Sequence, residues 1–258
     1  MSAVVLLEWQ FSPPDYFEEA IEVSCHTYSM TIADGKVEAK VEPAIYDANP
    51  SMPQLLQDSL NGRFLGVQLL THRPYELSRS TITRVREDGR RDIFIELTSG
   101  IILTSVGSVD IRVTDKDVNI ISDSKRDRIE KKKNLAELVA THLPSDVTLA
   151  ALLRSHDAGV RNPNNELVHL YEIRDALSVK FGGKSGARAA LAITTSQWNH
   201  LGQLCNDKLL SQGRHRGMTG EALRDASEGE LVESRGIARA MIESYLQYLE
   251  DSNRQNNT

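Results

Sequence analysis

Cysteine is scarce in this chain: only Cys25 and Cys205 occur in 258 residues, with no CxxC or zinc-knuckle spacing. That scarcity suits a reducing cytosol better than a disulfide scaffold, and both residues are expected to be buried thiols. No run of about 18 apolar residues is present, the length a spanning helix requires. The apolar opening MSAVVLLEW carries neither a basic leader segment nor a cleavage-like site, so no membrane association and a cytoplasmic location are expected. Positive charge is not in excess: 30 Lys and Arg stand against 36 Asp and Glu, for a net charge of −6. Coating of nucleic acid by bulk electrostatics is thereby excluded, and any such contact must use a local basic patch.

The glycine-rich signatures that cradle nucleotides are missing, as are HExxH and the GxSxG elbow. KFGGKSG, residues 180–186, looks superficially like a phosphate loop, but it follows a helical pattern and reads as helix termination. The seven histidines and two cysteines never fall at ligand spacing. Cys25 and His26 are strand neighbours facing opposite ways, so no metal and no cofactor are expected.

What is present divides in two. Hydrophobic residues at 40% and charged residues at 26% are ordinary for a folded domain. Residues 1–122 have the texture of strands: AVVLLEWQF, IEVSCHTYSMTI, KVEAKVEP, RFLGVQLL, STITRVRE, RDIFIELT, GIILTSVG, VDIRVT and DVNIIS. Asp34-Gly35 and Asp88-Gly89 mark tight antiparallel hairpins, because positive φ is cheap for Gly and tolerable for Asp. Val37, Ala39 and Val41 alternate with Lys36, Glu38 and Lys40, giving one dry face and one wet face. Leu55, Leu56 and Leu60 before Gly62 predict one short helix. This half is expected to be an antiparallel β-rich domain, sandwich or barrel-like.

At residue 123 the texture changes. SDSKRDRIEKKKN crowds Lys125, Arg126, Arg128, Lys131, Lys132 and Lys133, and residues 123–133 read as a basic linker or the start of a helix. Residues 134–250 read as an all-α bundle with helices at about 134–143, 146–155, 167–181, 185–191, 194–205, 219–225 and from Ser227 onward. Ser227 and Glu230 have the Ser-x-x-Glu spacing of a capping box. Residues 251–258 read as a disordered tail. The fold class is therefore α+β.

Two places could carry chemistry. Arg174 lies on the edge of the apolar face of its helix and needs a partner, since an unpaired buried charge is costly. Glu166, Glu172 and Asp175 are near in sequence, and the alternatives are a structural ion pair and an inward-facing ligand-binding Arg. In SQGRHRGMTG, Arg214 and Arg216 flank His215. Two guanidiniums can grip phosphate oxygens while an imidazole shuttles a proton, which is the equipment for cleaving RNA through its 2′-hydroxyl. A plain solvated turn explains the trio equally. Arg214, Arg216, Arg174, Lys131, Lys132 and Lys133 are the expected binding residues, and His215 is the candidate catalytic residue.

The succession LVHLYEIRDAL, KFGG, LAITTSQWNHLGQLCND and GRHRG, followed by a long last helix, resembles the helical domains of the HEPN superfamily over residues 134–250. The resemblance implies a HEPN-like bundle, a homo-oligomer, and an RNA- or nucleotide-interacting component of a bacterial defence, toxin-type or stress-response system. Any catalysis it implies is that of a metal-independent ribonuclease. The superfamily separates its catalytic Arg and His by a few residues, whereas Arg214 and His215 are adjacent, so its catalytic residues do not carry over. The alternative is a non-catalytic adaptor that binds a protein partner through the β half and self-associates through the α half.

Overall fold

The computed structural model describes residues 3–88, 90–94, 112–114, 120–214 and 222–256. The chain divides into two compact units, Met1–Val67 with Tyr75–Ala140 and Gln68–Pro74 with Thr141–Thr258. An antiparallel sheet with helices makes the first and helices dominate the second, so the class is α+β.

In the first unit the strands are β1 (Val4–Ser12), β2 (Ile21–Ser24), β3 (Tyr28–Ala33), β4 (Lys36–Val41), β5 (Glu76–Leu77), β6 (Thr81–Val85) and β7 (Arg91–Phe94). They run antiparallel in the order β2-β3-β4-β1-β6-β7, with β5 beside the end of β1. β1 is central because alternate residues are apolar: Val5, Leu7, Trp9 and Phe11 are buried on the core face. Its register pairs Leu7 with Ala39 on one side and with Ile82 on the other. Ala33 pairs with Lys36, and the two residues between, Asp34 and Gly35, both have positive φ (48° and 79°), as a twist-matched hairpin turn requires. A separate pair, β8 (Arg112–Thr114) with β9 (Ile120–Asp123), lies off this sheet.

The core face of the large sheet is covered by a helix. Besides the short α1 (Pro43–Ala48), the first unit holds α2 (Met52–Thr71) and α3 (Ser124–His142). Met52, Leu56, Leu60, Phe64 and Val67 of α2 recur at three- and four-residue steps and join Val5, Leu7, Trp9 and Val37 in one apolar cluster. This corrects two expectations. RFLGVQLL is helix, not strand, because its apolar residues continue the stripe begun at Met52. And among the described residues a helix, not a second facing sheet, closes the core, so neither sandwich nor barrel is seen. Residues 100–107, also expected as a strand, lie outside the described residues.

Gly62, expected to end a short helix, sits inside α2 one turn before Gly66, and both face α3. A Cβ on Gly66 would lie 2.4 Å from the Leu135 carbonyl oxygen, and one on Gly62 2.8 Å from the Ala140 Cα. The two glycines therefore allow helix axes to approach closer than any side chain permits. The buried Arg63 guanidinium is neutralised by Glu137 of α3. Residues 124–133 are the first part of α3, and Cys25, expected buried, is exposed beside β2.

The second unit contains α4 (Val147–Arg161), α5 (Glu166–Lys180), α6 (Lys184–Ala190), α7 (Thr195–Gly202) and α8 (Glu228–Asn256). Its helix ends obey local chemistry. Asp146 accepts from the Leu149 amide at 2.6 Å, and Thr194 with Gln197 forms a capping box. Gly182 stops α5 with φ 66°, while Gly183 donates to the Ser178 carbonyl at 2.7 Å. The expected Ser227/Glu230 box is present: the Ser227 amide donates to Glu230 at 3.0 Å and the Glu230 amide to Ser227 Oγ at 3.3 Å. Two expectations need correcting. Residues 222–225 are not helical, and 219–221 lie outside the described residues; α8 runs on to Asn256 through residues expected as tail. Among the described residues no helix is long and apolar enough to cross a membrane.

Candidate nucleotide-binding site

The site is built on one face of α5. Tyr171, Arg174 and Asp175 fall three and four residues apart, which places them together on the helix surface. The Arg174 guanidinium lies 4.8 Å from the centre of the Tyr171 ring and 5.4 Å from that of Trp198, and Nη1 donates to the Trp198 carbonyl at 3.3 Å. It fits there because residue 202 is glycine: a Cβ at that position would meet Nη1 at 1.9 Å. The three expected carboxylate partners are engaged elsewhere, Glu166 with Arg235, Glu172 with Ser155 and His169, and Asp175 with Arg214. Among the described residues no carboxylate pairs with Arg174, and two aromatic faces stand in for one.

Immediately after α7 the backbone widens into a π-helical turn over Gln203–Asp207, a departure from α-geometry that recurs at functional sites. Tyr171, Arg174, Asn199, Gln203, Asn206 and Asp207, together with Gly202, line a cavity of about 230 Å³ beside this turn. Asn206 Nδ2 donates to Asp207 Oδ1 at 2.9 Å, which leaves the other carboxylate oxygen open. Within the turn Cys205 is fully buried, and that burial pushes its thiol up to about 12 even though Arg174 opposes the shift.

Arg214 reaches the same ring. Its guanidinium lies 4.7 Å from the Tyr171 centre and donates to Asp175 at 3.0 Å, while its backbone amide donates to the Cys205 carbonyl at 2.9 Å. The ends of this loop are tied together, since Ser211 donates to the Arg224 carbonyl at 2.9 Å and Arg224 to that of Leu209 at 3.2 Å. Two of the three arginines singled out in the sequence, Arg174 and Arg214, therefore converge on one ring, and Tyr171 is their platform. His215 and Arg216 lie outside the described residues.

The expected lysines belong to the other unit. Lys132 is 5% exposed and, with Arg128, holds the Glu18 carboxylate, while Lys133 pairs with Glu19 at 3.1 Å. The Arg128 contact, against the opposing effect of burial and with Lys132 adding to it, holds Glu18 down at about 2. Lys132 is thus a structural cation removed from any phosphate, because burial and pairing leave it no free face. Lys131 is exposed on α3.

Sequence reasoning missed a second buried polar cluster in the helical unit. Glu166 accepts two bonds from Arg235, at 2.6 and 2.8 Å, and lies 3.1 Å from His72 Nε2. Burial alone would raise the Glu166 carboxyl, but Arg235 and His72 hold it at about 2. The His156 ring stands edge-on to His72 at 5.5 Å, and burial together with the neighbouring His72 pushes it down to about 4. The cluster joins four positions, His72, His156, Glu166 and Arg235, from three different stretches of the chain, so no local pattern marks it. Among the described residues no group of three or more His, Cys, Asp or Glu side chains is placed to hold a metal ion. No family model, curated protein or solved structure matches the chain.

Proposed function

We propose that the helical unit binds RNA or nucleotides through the Tyr171, Arg174 and Arg214 site. The carrying observation is Arg174, a half-buried cation without a carboxylate, packed against Gly202 beside a cavity lined by amide side chains. A cation kept partly out of water without an ion-pair partner favours an anionic ligand, because the ligand's phosphate or carbonyl oxygens complete the pairing. Guanidiniums backed by aromatic rings are a common way to hold unstacked nucleotides. Arg214 supplies a second cation over the same ring.

Fluorescence anisotropy of a labelled single-stranded RNA, titrated with protein at two salt concentrations, tests this. Binding that weakens with salt is expected, with Arg174→Gln and Arg214→Gln each losing about tenfold, or ~1.4 kcal/mol. Unchanged binding in both variants, or none in the parent, overturns the reading. Metal-free incubation with RNA, comparing the parent with His215→Ala, separates cleavage from binding: equal rates remove His215 from any catalytic role.

A further inference from the structure

We propose that the cavity beside Arg174 selects guanine among the bases, an inference that rests on the nucleotide-binding reading above. The walls offer donors at one place and an acceptor at another. Arg174 has five N–H donors, of which the Trp198 carbonyl takes one. Asp207 is acceptor-only, and the Asn206 amide occupies only one of its oxygens. A base that fits must bring a pair of acceptors for the guanidinium and donors for the carboxylate.

Guanine meets both needs. Its N7 and O6 form the acceptor pair that a guanidinium bridges with two bonds, and its N1–H and exocyclic amine are adjacent donors that a carboxylate accepts. Adenine sets an amino donor beside N7, facing donor to donor against Arg174. Cytosine gives a carboxylate one amino group, and uracil gives it a single ring N–H. The amides of Asn199 and Gln203 can donate or accept and do not discriminate. The volume of about 230 Å³ accommodates one base, not a stacked run. With the base between Arg174 and Asp207, Arg214, which gives Nη1 to Asp175, keeps further N–H donors for the phosphate.

The test is calorimetric titration of the whole chain with GMP, IMP, AMP, CMP and UMP at low salt. GMP is expected to bind at least about tenfold tighter than AMP, CMP and UMP, one well-placed bidentate contact being worth that much. IMP, which lacks only the amine, is expected to fall between them. Asp207→Asn is expected to erase the difference between GMP and IMP, because the carboxylate oxygen that receives the exocyclic amine is gone. Equal affinity for all five, or binding of RNA with none of the five, overturns the guanine inference and leaves the RNA-binding reading standing. A GMP preference that survives Asp207→Asn overturns the assignment to the cavity, and absence of binding to any nucleotide or RNA overturns both.

Discussion

Gly202→Ala separates the site from the scaffold. The new methyl would stand 1.9 Å from Arg174 Nη1 and 3.1 Å from Cζ, so the guanidinium must leave. What it meets is the far end of a flexible side chain, so the backbone can stay where it is. Two cation–π contacts at about 0.5–1 kcal/mol each and a hydrogen bond near 1 kcal/mol are lost. Replacing a helical glycine by alanine returns up to about 1 kcal/mol. The net destabilisation is about 1–2 kcal/mol, a fall of a few degrees in Tm for a chain of this size. Nucleotide binding, by contrast, should drop about tenfold, as far as in Arg174→Gln, and the double variant should lose no more than either single one, because both remove the same contact. Differential scanning fluorimetry and RNA anisotropy on the four proteins read both quantities. Parent-like binding in Gly202→Ala, or additive losses in the double variant, would refute the role given to Arg174.

Gly66→Ala should do the opposite, since its Cβ meets the Leu135 carbonyl at 2.4 Å and backbone cannot step aside; urea melts should show a loss of about 1–3 kcal/mol or more. Acid should weaken the helical unit in two stages. His156 titrates near 6.5 when unfolded and about 4 when folded, so the folded state binds fewer protons and stability present above pH 6.5 is lost as pH falls towards 4. The full loss is about 3 kcal/mol, with His72, Asp157, Glu166 and Arg239 the titratable and charged groups around the ring. Glu166 adds a second loss between about pH 4.5 and 2. Denaturant titrations across this range should show the upper stage vanish in His156→Phe; its persistence would reassign it. A thiol reagent at neutral pH should modify one cysteine promptly, Cys25, because Cys205 is buried with its thiol held at about 12; peptide mapping decides which.

Helix ends were legible because their chemistry is local: Thr194 and Ser227 cap within three residues, and Gly182 terminates at its own position. Strands with strict alternation, such as Lys36–Val41, were legible for the same reason. RFLGVQLL was not, since a short apolar run has no period of its own and its helical state follows from the stripe that Met52 begins about three turns earlier. At the site, Arg174 and Arg214 could be singled out as cations needing partners, but their meeting on Tyr171 depends on a loop tied back to the Cys205 carbonyl, thirty-four residues from the ring in sequence. The exposed Cys25 escaped because residue-type averages say nothing about a particular strand end.

The amino-acid sequence by itself determined the α+β character, the hairpin at Asp34-Gly35, the helix caps and the presence of arginines that demand partners. These follow from φ/ψ preference, hydrophobic period and charge, which act over a few residues. Only the tertiary structure decided that a helix closes the sheet, that Lys132 serves Glu18, and that Gly62, Gly66 and Gly202 are spaces for a neighbour instead of breaks in a helix. A glycine's backbone freedom and its missing side chain look identical in sequence, and only the atom that comes to lie against it shows which of the two is being used.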